Sequence, residues 1–156
     1  MKIALGSDHH GRDAVAALAR HLEEHGHVAL VLGPETEGAV DYPESAHAVA
    51  HAVADGDADR GVLICGSGIG MSMAANKVDG VRAALVFDEE AAEMTRRHND
   101  ANVIALSGGR TEVERMAAIL DAFLAAPFDG GRHARRVDQM GQIERGEQPG
   151  GAAVTS

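Results

Sequence analysis

The sequence predicts an α/β protein: a three-layer α/β/α sandwich around a five-stranded parallel sheet. Two observations carry that prediction. Short apolar runs alternate with helix-like segments along the chain, which is the pattern of βαβ units whose sheet is covered on both faces. A length of 156 residues suits one domain with a real core, and neither an internal repeat nor a second domain is visible.

The elements follow in order. Lys2 to Gly6 (KIALG) is a short apolar run and reads as a buried strand. Ser7 to Gly11 is a polar loop. From Arg12 to His25, Val15, Leu18, Ala19 and Leu22 recur at helical spacing, and Gly26 stops that helix. His27 to Leu32 is the second strand, broken by Gly33-Pro34. A loop rich in Glu and Gly leads to Asp41-Tyr42-Pro43, and the Ala- and Val-rich stretch Glu44 to Ala54 reads as a helix. Gly61 to Cys65 is the third strand, followed by a helix from Ile69 to Asn76. Arg82 to Phe87 is the fourth, and Asp88 is the N-cap of a helix from Glu89 to His98. Ala101 to Leu106 is the fifth. Thr111 and Glu114 are spaced as a capping box for a helix that ends at Leu124. After a break at Pro127 to Gly131, a basic helix runs from Arg132 to Glu144. The domain thus spans residues 1–145, and the small, polar tail 146–156 is expected to be disordered.

Composition narrows the function. Hydrophobic residues make up 45%, with no Trp, three Phe and one Tyr, so the core must be built from Ala, Val, Leu, Ile and Met. The formal charge is −10, from 14 basic and 24 acidic residues, which disfavours a nucleic-acid surface. No apolar run approaches the ~20 residues of a membrane span, and the chain opens on a strand rather than a signal peptide. The expectation is a cytoplasmic protein with neither nucleic acid nor membrane as partner. One cysteine excludes an internal disulfide and a Cys-rich zinc site.

In parallel sheets, ligands sit beyond the carboxyl ends of the strands at a topological switch point. The stretch Val62 to Lys77 (VLICGSGIGMSMAANK) ends a strand there and opens a helix through Gly66, Gly68 and Gly70. Glycines let a ligand approach the backbone, and the first helical N–H groups lack intrahelical partners. The turn is neither a P-loop nor a dinucleotide fingerprint, and on its own it is also just a tight turn. Cys65 reads first as a small buried apolar residue; its place before this turn makes it a candidate base or nucleophile. Ser67 is a ligand donor or the N-cap of the following helix. Asp8 and His9 end the first strand, where two ligands alone make a poor metal site, and His10 reads as solvated. His98-Asn99-Asp100 closes a helix, where a histidine is favourable and Asn99 is a cap. Arg132 and Arg136 lie four apart on one helix face, with His133 and Arg135 beside them, as a solvated face or as a fork for a phosphate or carboxylate.

Six motifs in order carry a resemblance: Gly6-x-Asp8-His9, Asp41-Tyr42-Pro43, Cys65 to Gly70, Ala74-Ala75-Asn76-Lys77, His98-Asn99-Asp100-x-Asn102, and Gly130-Gly131-Arg132-His133-x-x-Arg136. From Met1 to about Arg145 the chain resembles the B-type ribose-5-phosphate isomerases, a family shared with the galactose-6-phosphate isomerase subunits. The resemblance implies a Rossmann-like sheet of order 2-1-3-5-4. It also implies an aldose–ketose isomerisation through a cis-enediol, with no metal and no cofactor. Cys65 would be the base. Ser67 and the N–H groups of Gly66, Gly68, Ile69 and Gly70 would hold the enediolate oxygen. His98 would open the sugar ring, Asp8 would move hydroxyl protons, and Tyr42 would lie close by. His9, Arg110, Arg132 and Arg136 would hold the phosphate, with Asn99 on the substrate. The family implies a homodimer or a dimer of dimers, with the His98-Asn99 region supplied by the neighbouring subunit.

The chain departs from the family in three places. Met71 stands where some relatives carry a glutamate base, which leaves Cys65 as the only candidate. Ser67 stands where many have threonine. One residue is inserted near Ser107 to Gly109 relative to some members. The leading expectation is interconversion of ribose 5-phosphate and ribulose 5-phosphate. The alternatives are another sugar phosphate (allose 6-phosphate, galactose 6-phosphate or a tetrulose phosphate) and a non-catalytic phosphate-binding module.

Overall fold

The computed structural model describes residues 1–34 and 38–150. Part of the Glu- and Gly-rich loop (35–37) and the end of the tail (151–156) lie outside the described residues. Five strands and six helices alternate among them: β1 (Lys2–Ser7), α1 (Arg12–Glu24), β2 (Val28–Val31), α2 (Tyr42–Ala54), β3 (Arg60–Cys65), α3 (Ile69–Ala75), β4 (Ala83–Leu85), α4 (Glu89–Asn99), β5 (Val103–Ser107), α5 (Val113–Ala125) and α6 (Arg132–Glu144). The sheet is parallel throughout, in the order β2-β1-β3-β5-β4. The chain leaves β1 for one side and then crosses to the other, so the switch point lies between β1 and β3.

Side chains alternate across the sheet, and each face has its own core. Ile3, Leu5, Val62, Ile64, Ile104 and Leu106 meet α1, α4 and α5 on one face. Ala4, Leu63, Cys65, Val103 and Ala105 meet α2 and α3 on the other. Burial of each large side chain, such as Phe123 or Leu63, is worth roughly 1.5–3 kcal/mol. Small residues on the second face let α2 and α3 lie close to the strand tips.

Several boundaries moved for local reasons. Asp88 is a true N-cap, its Oδ1 accepting the Ala91 N–H at 2.7 Å. The capping box at Thr111 and Glu114 does not form. The Thr111 N–H turns back to the Ser107 carbonyl at 3.1 Å, so α5 begins only at Val113, with Glu112 as its N-cap. Nor does Asn99 cap α4. Asp100 does so in the left-handed region (φ 48°), which aspartate tolerates better than most residues. Arg96 at 2.7 Å and Arg82 at 3.0 Å hold its carboxylate there. β4 covers only Ala83–Leu85. Its exposed edge is met by the Asn76 carboxamide, which accepts the Ala83 N–H at 2.9 Å and donates to the Ala83 carbonyl at 2.8 Å. That pair of hydrogen bonds explains the Asn of Ala74-Ala75-Asn76-Lys77 as an edge cap. Beyond α6, Gly146 and Glu147 bond back to the helix through Ile143 and Gln142 carbonyls at 2.9 Å each.

Candidate active site

The carboxyl edge of the sheet is built first by register. Ser7 lies opposite Ile64, so Asp8 comes level with Cys65; Cys65 in turn lies opposite Ser107. Neighbouring strands run about 4.8 Å apart, which sets the Asp8 and Cys65 backbones side by side at the sheet edge. Asp8 is 8% exposed; its N–H donates to the Ile64 carbonyl at 3.2 Å, and its Oδ1 accepts the His10 N–H at 2.9 Å. The His9 and His10 rings lie against each other, 3.9 Å between centroids. Cys65 is 5% exposed, with its Sγ accepting the Gly68 N–H at 3.1 Å inside the turn.

The three glycines of the turn do different work. Gly68 has φ +76° and packs on Leu85 and Leu106, so it serves the turn itself. At Gly70 a Cβ would lie 2.7 Å from the Tyr42 ring, so the missing side chain seats that ring over α3. At Gly66 a Cβ would meet nothing within 4 Å. That open space directly follows the thiol, and the N–H groups of Gly66 and Ser67 donate to no protein acceptor among the described residues. The sequence reading offered Ser67 as an N-cap. Gly68 holds that position instead, and Ser67 Oγ accepts the Ile69 N–H at 3.3 Å. Arg110 is exposed on the β5–α5 loop, lining a cleft of about 290 Å³ with His10, Asp13 and Thr111.

The remaining predicted residues lie at the opposite end of the sheet. α4 runs back from the carboxyl edge, and its exit is pinned to the amino edge: the Asn102 carbonyl accepts the Gly61 N–H at 2.9 Å, at the start of β3. His98 and Asn99 close that helix. The His98 ring stacks on His133 of α6, 4.1 Å apart and 6° from parallel. Asp129 completes the group, with Oδ2 3.8 Å from His98 Nε2 and the Arg97 guanidinium 3.1 Å from its other oxygen. Arg97 holds the Asp129 carboxyl below its ordinary range. His133 is held below the ordinary imidazole value by burial first, then by repulsion from His98, Arg132 and Arg136. Arg132 and Arg136 themselves are exposed. Asn99 faces a cleft of about 710 Å³ lined also by Asn76, Arg82, Thr95, Met140 and Ile143, which contains no other predicted site residue.

The fold thus gathers Asp8, His9, Tyr42, Cys65 and Ser67 at one edge and His98, Asn99, Arg132 and Arg136 at the other. β3 has six residues, so the two edges of one chain stand about 16–20 Å apart. Sequence reasoning gave no role to Ser107 or Asp129, nor to the histidine stack. Ser107 had a signal, a hydroxyl ending an otherwise apolar strand; Asp129 had none, since its partner Arg97 lies 32 residues away. Two groups could offer three metal ligands each within 4.8 Å, Asp8-His9-His10 and His98-Asp129-His133. In both, the carboxylate is already engaged by the protein.

A carboxylate, a thiol and amides with no protein acceptor among the described residues, gathered around the switch point of a parallel sheet, have the make-up of a site for a small polar molecule. A family model described as Ribose/Galactose Isomerase matches residues 3–140. The chain belongs to that family, and it is a sugar-phosphate isomerase. It is 42% identical over 144 residues to ribose-5-phosphate isomerase B of Escherichia coli, covering 92% of this chain and 97% of that one. It is 37% identical over 150 residues to a D-erythrulose-4-phosphate isomerase of Pectobacterium atrosepticum, covering 95% and 98%. A crystal structure of ribose-5-phosphate isomerase B from Mycoplasma genitalium with bound ribulose-5-phosphate superposes with a TM-score of 0.87 at 42% identity, covering 92% and 96%. These matches set aside the non-catalytic binding module. Among the described residues, no helix is long and apolar enough to cross a membrane.

Proposed function

We propose that this isomerase interconverts ribose 5-phosphate and ribulose 5-phosphate through a cis-enediol, in a site that two copies of the chain complete together. The observation that carries the reading is the row at the carboxyl edge, where Asp8 and Cys65 are level and the Gly66 and Ser67 N–H groups donate to no protein acceptor among the described residues. Cys65 takes the proton from C2 of the open-chain aldose. The negative charge that develops on the C1 oxygen is held by the amides and Ser67 as an enediolate. Asp8 moves the hydroxyl proton of the C2 oxygen to the C1 oxygen, the Cys65 thiol, after exchange with solvent, gives a proton to C1, and C2 becomes the carbonyl. His98, from a second copy, moves the proton that opens the ring. His9 and Arg110 take the phosphate together with Arg132 and Arg136 of the second copy, Asn99 of the second copy takes a hydroxyl, and Tyr42 forms one wall. The 16–20 Å between the two edges supports the second copy, because His98 and Cys65 of one chain are too far apart to share a five-carbon sugar.

The D-erythrulose-4-phosphate isomerase among the relatives favours a second reading in which a four-carbon phosphate is preferred. The test for both is turnover in deuterium oxide. With ribose 5-phosphate, deuterium is expected at C1 of ribulose 5-phosphate and, on return, at C2 of ribose 5-phosphate. No turnover of ribose 5-phosphate overturns the substrate, and turnover without exchange overturns the proton-transfer route. A different sugar phosphate preferred about 100-fold in kcat/KM, ~2.7 kcal/mol of transition-state binding, reassigns the substrate.

A further inference from the structure

We propose that Ser107 is a positioning residue for the isomerase reaction: its buried hydroxyl locks the Gly66–Ser67 peptide so that two consecutive N–H groups face the substrate. The inference rests on the isomerase reading above. Ser107 is fully buried at the end of β5, and its Oγ donates to the Gly66 carbonyl at 2.8 Å. The same carbonyl accepts the Gly109 N–H at 3.0 Å, while the Cys65 carbonyl accepts the Gly108 N–H at 2.8 Å.

In a regular strand, successive carbonyls point to opposite neighbours. Here the Cys65 and Gly66 carbonyls both point to the β5–α5 loop, so the second peptide is reversed relative to the ladder. In a trans peptide the N–H points opposite to the C=O. The N–H groups of Gly66 and Ser67 therefore both point away from β5. In the order β1-β3-β5 that direction is toward β1, where Asp8 lies. Two consecutive amides aimed one way make a concavity for an anionic oxygen.

This orientation needs holding. A Cβ at Gly66 would meet nothing within 4 Å, and glycine has the widest choice of backbone angles, so the residue itself does not fix the Gly66–Ser67 peptide in this orientation. A swing back to the ladder orientation would turn the Ser67 N–H away from the substrate. Gly109 supplies one restraint on the Gly66 carbonyl and Ser107 the other. A Cβ at Gly109 would lie 2.8 Å from that carbonyl oxygen, so the loop is closely fitted to it.

The experiment compares wild type with Ser107→Ala and Ser107→Cys. It uses ribose 5-phosphate kinetics, the affinity of a phosphorylated hydroxamate that mimics the enediolate, and crystal structures of the variants. For S107A, kcat is expected to fall about 10- to 100-fold with KM little changed, and hydroxamate affinity to fall with kcat/KM. S107C fills the same space with a weak donor and is expected to fall between. The S107A crystal structure is expected to show the Gly66 carbonyl turned or divided between two orientations. Wild-type kcat in S107A, equal losses of substrate and hydroxamate affinity, or S107C behaving as wild type overturns the role; the last would make Ser107 a packing residue. A Gly66 carbonyl wholly in its original direction in S107A also overturns it, and that readout holds whether or not the sugar is ribose 5-phosphate. A wild type without isomerase activity sinks the functional reading instead.

Discussion

The two edges of the sheet are built from different materials. At the carboxyl edge, geometry is set mostly by main-chain and neutral groups: Asp8 N–H to Ile64, Gly108 N–H to Cys65, Gly109 N–H and the Ser107 hydroxyl to Gly66, and Gly68 N–H to the thiol, with one exposed titratable contact, His10 at 3.5 Å from Asp8. At the amino edge it is set by charged and titratable side chains: Arg97 on Asp129, Arg96 and Arg82 on Asp100, and His98 stacked on His133. Backbone hydrogen bonds within a sheet neither titrate near neutral pH nor weaken much with salt, whereas ion pairs between half-exposed groups do both. The difference is one of materials: the carboxyl edge has its donors fixed by neutral hydrogen bonds, and the amino edge carries charged, titratable groups. Under the proposed mechanism the first edge takes the proton and the second opens the ring.

The sharpest way to break this division is to remove the chemistry from one edge at a time. Cys65→Ala is expected to lower kcat about 10²- to 10⁴-fold, the usual contribution of a positioned general base, with KM near its original value. His98→Gln is expected to lower kcat less, because ring opening also occurs without help. Mixing the two variants after reversible dissociation then separates one-chain from two-chain sites. If each site takes Cys65 from one subunit and His98 from another, random pairing restores about a quarter of wild-type activity. Activity no higher than the sum of the two variants would return the whole site to a single chain.

How much of this was legible in the sequence follows the same division. The strands, the order of elements and the Asp88 cap were legible because periodicity and capping are local signals. So were the residue types at both edges. Their separation was legible only through topology, since nothing near His98 says which end of the sheet α4 returns to. The side-chain contacts between distant segments left no local trace, unlike the Arg96–Asp100 pair at helical spacing. Asp129 meets Arg97 across 32 residues, and Asn102 serves Arg82 and Gly80 across 20 and 22. Asn76 reaches seven residues on to close the edge of β4. The capping box at Thr111 failed because a turn around the Ser107 carbonyl, set by the sheet, came before local capping chemistry.

A smaller effect sharpens the phosphate half of the comparison. Arg132→Ala and Arg136→Ala are each expected to raise KM about 10- to 100-fold, the loss of one charge-assisted contact of roughly 1.5–3 kcal/mol, while kcat changes little. Inhibition by inorganic phosphate should weaken in parallel and should grow weaker with added salt in the wild type. An unchanged KM in both variants would make α6 a solvated face and leave the phosphate to the carboxyl edge.

The smallest expected effect is on stability, and it belongs to the amino edge alone. His133 is enclosed by His98, Arg132, Arg136 and Asp129, and its folded-state value lies below the ordinary 6.5. The unfolded chain therefore takes up this proton at a higher pH than the folded one does. Stability from a neutral His133 is complete above about pH 6.5 and is lost as the pH falls through the lower folded-state value. Asp129 opposes this only weakly, because Arg97 already occupies its carboxylate. Melting temperatures from pH 8 to pH 5 should thus fall more steeply for wild type than for His133→Gln, which has no proton to gain. The same scan on Cys65→Ala should keep the wild-type slope, since that change leaves the His98–His133–Asp129 cluster intact. Equal slopes for His133→Gln and wild type would mean that the imidazole stack carries no pH-dependent strain, and that the two edges differ in position but not in their response to acid.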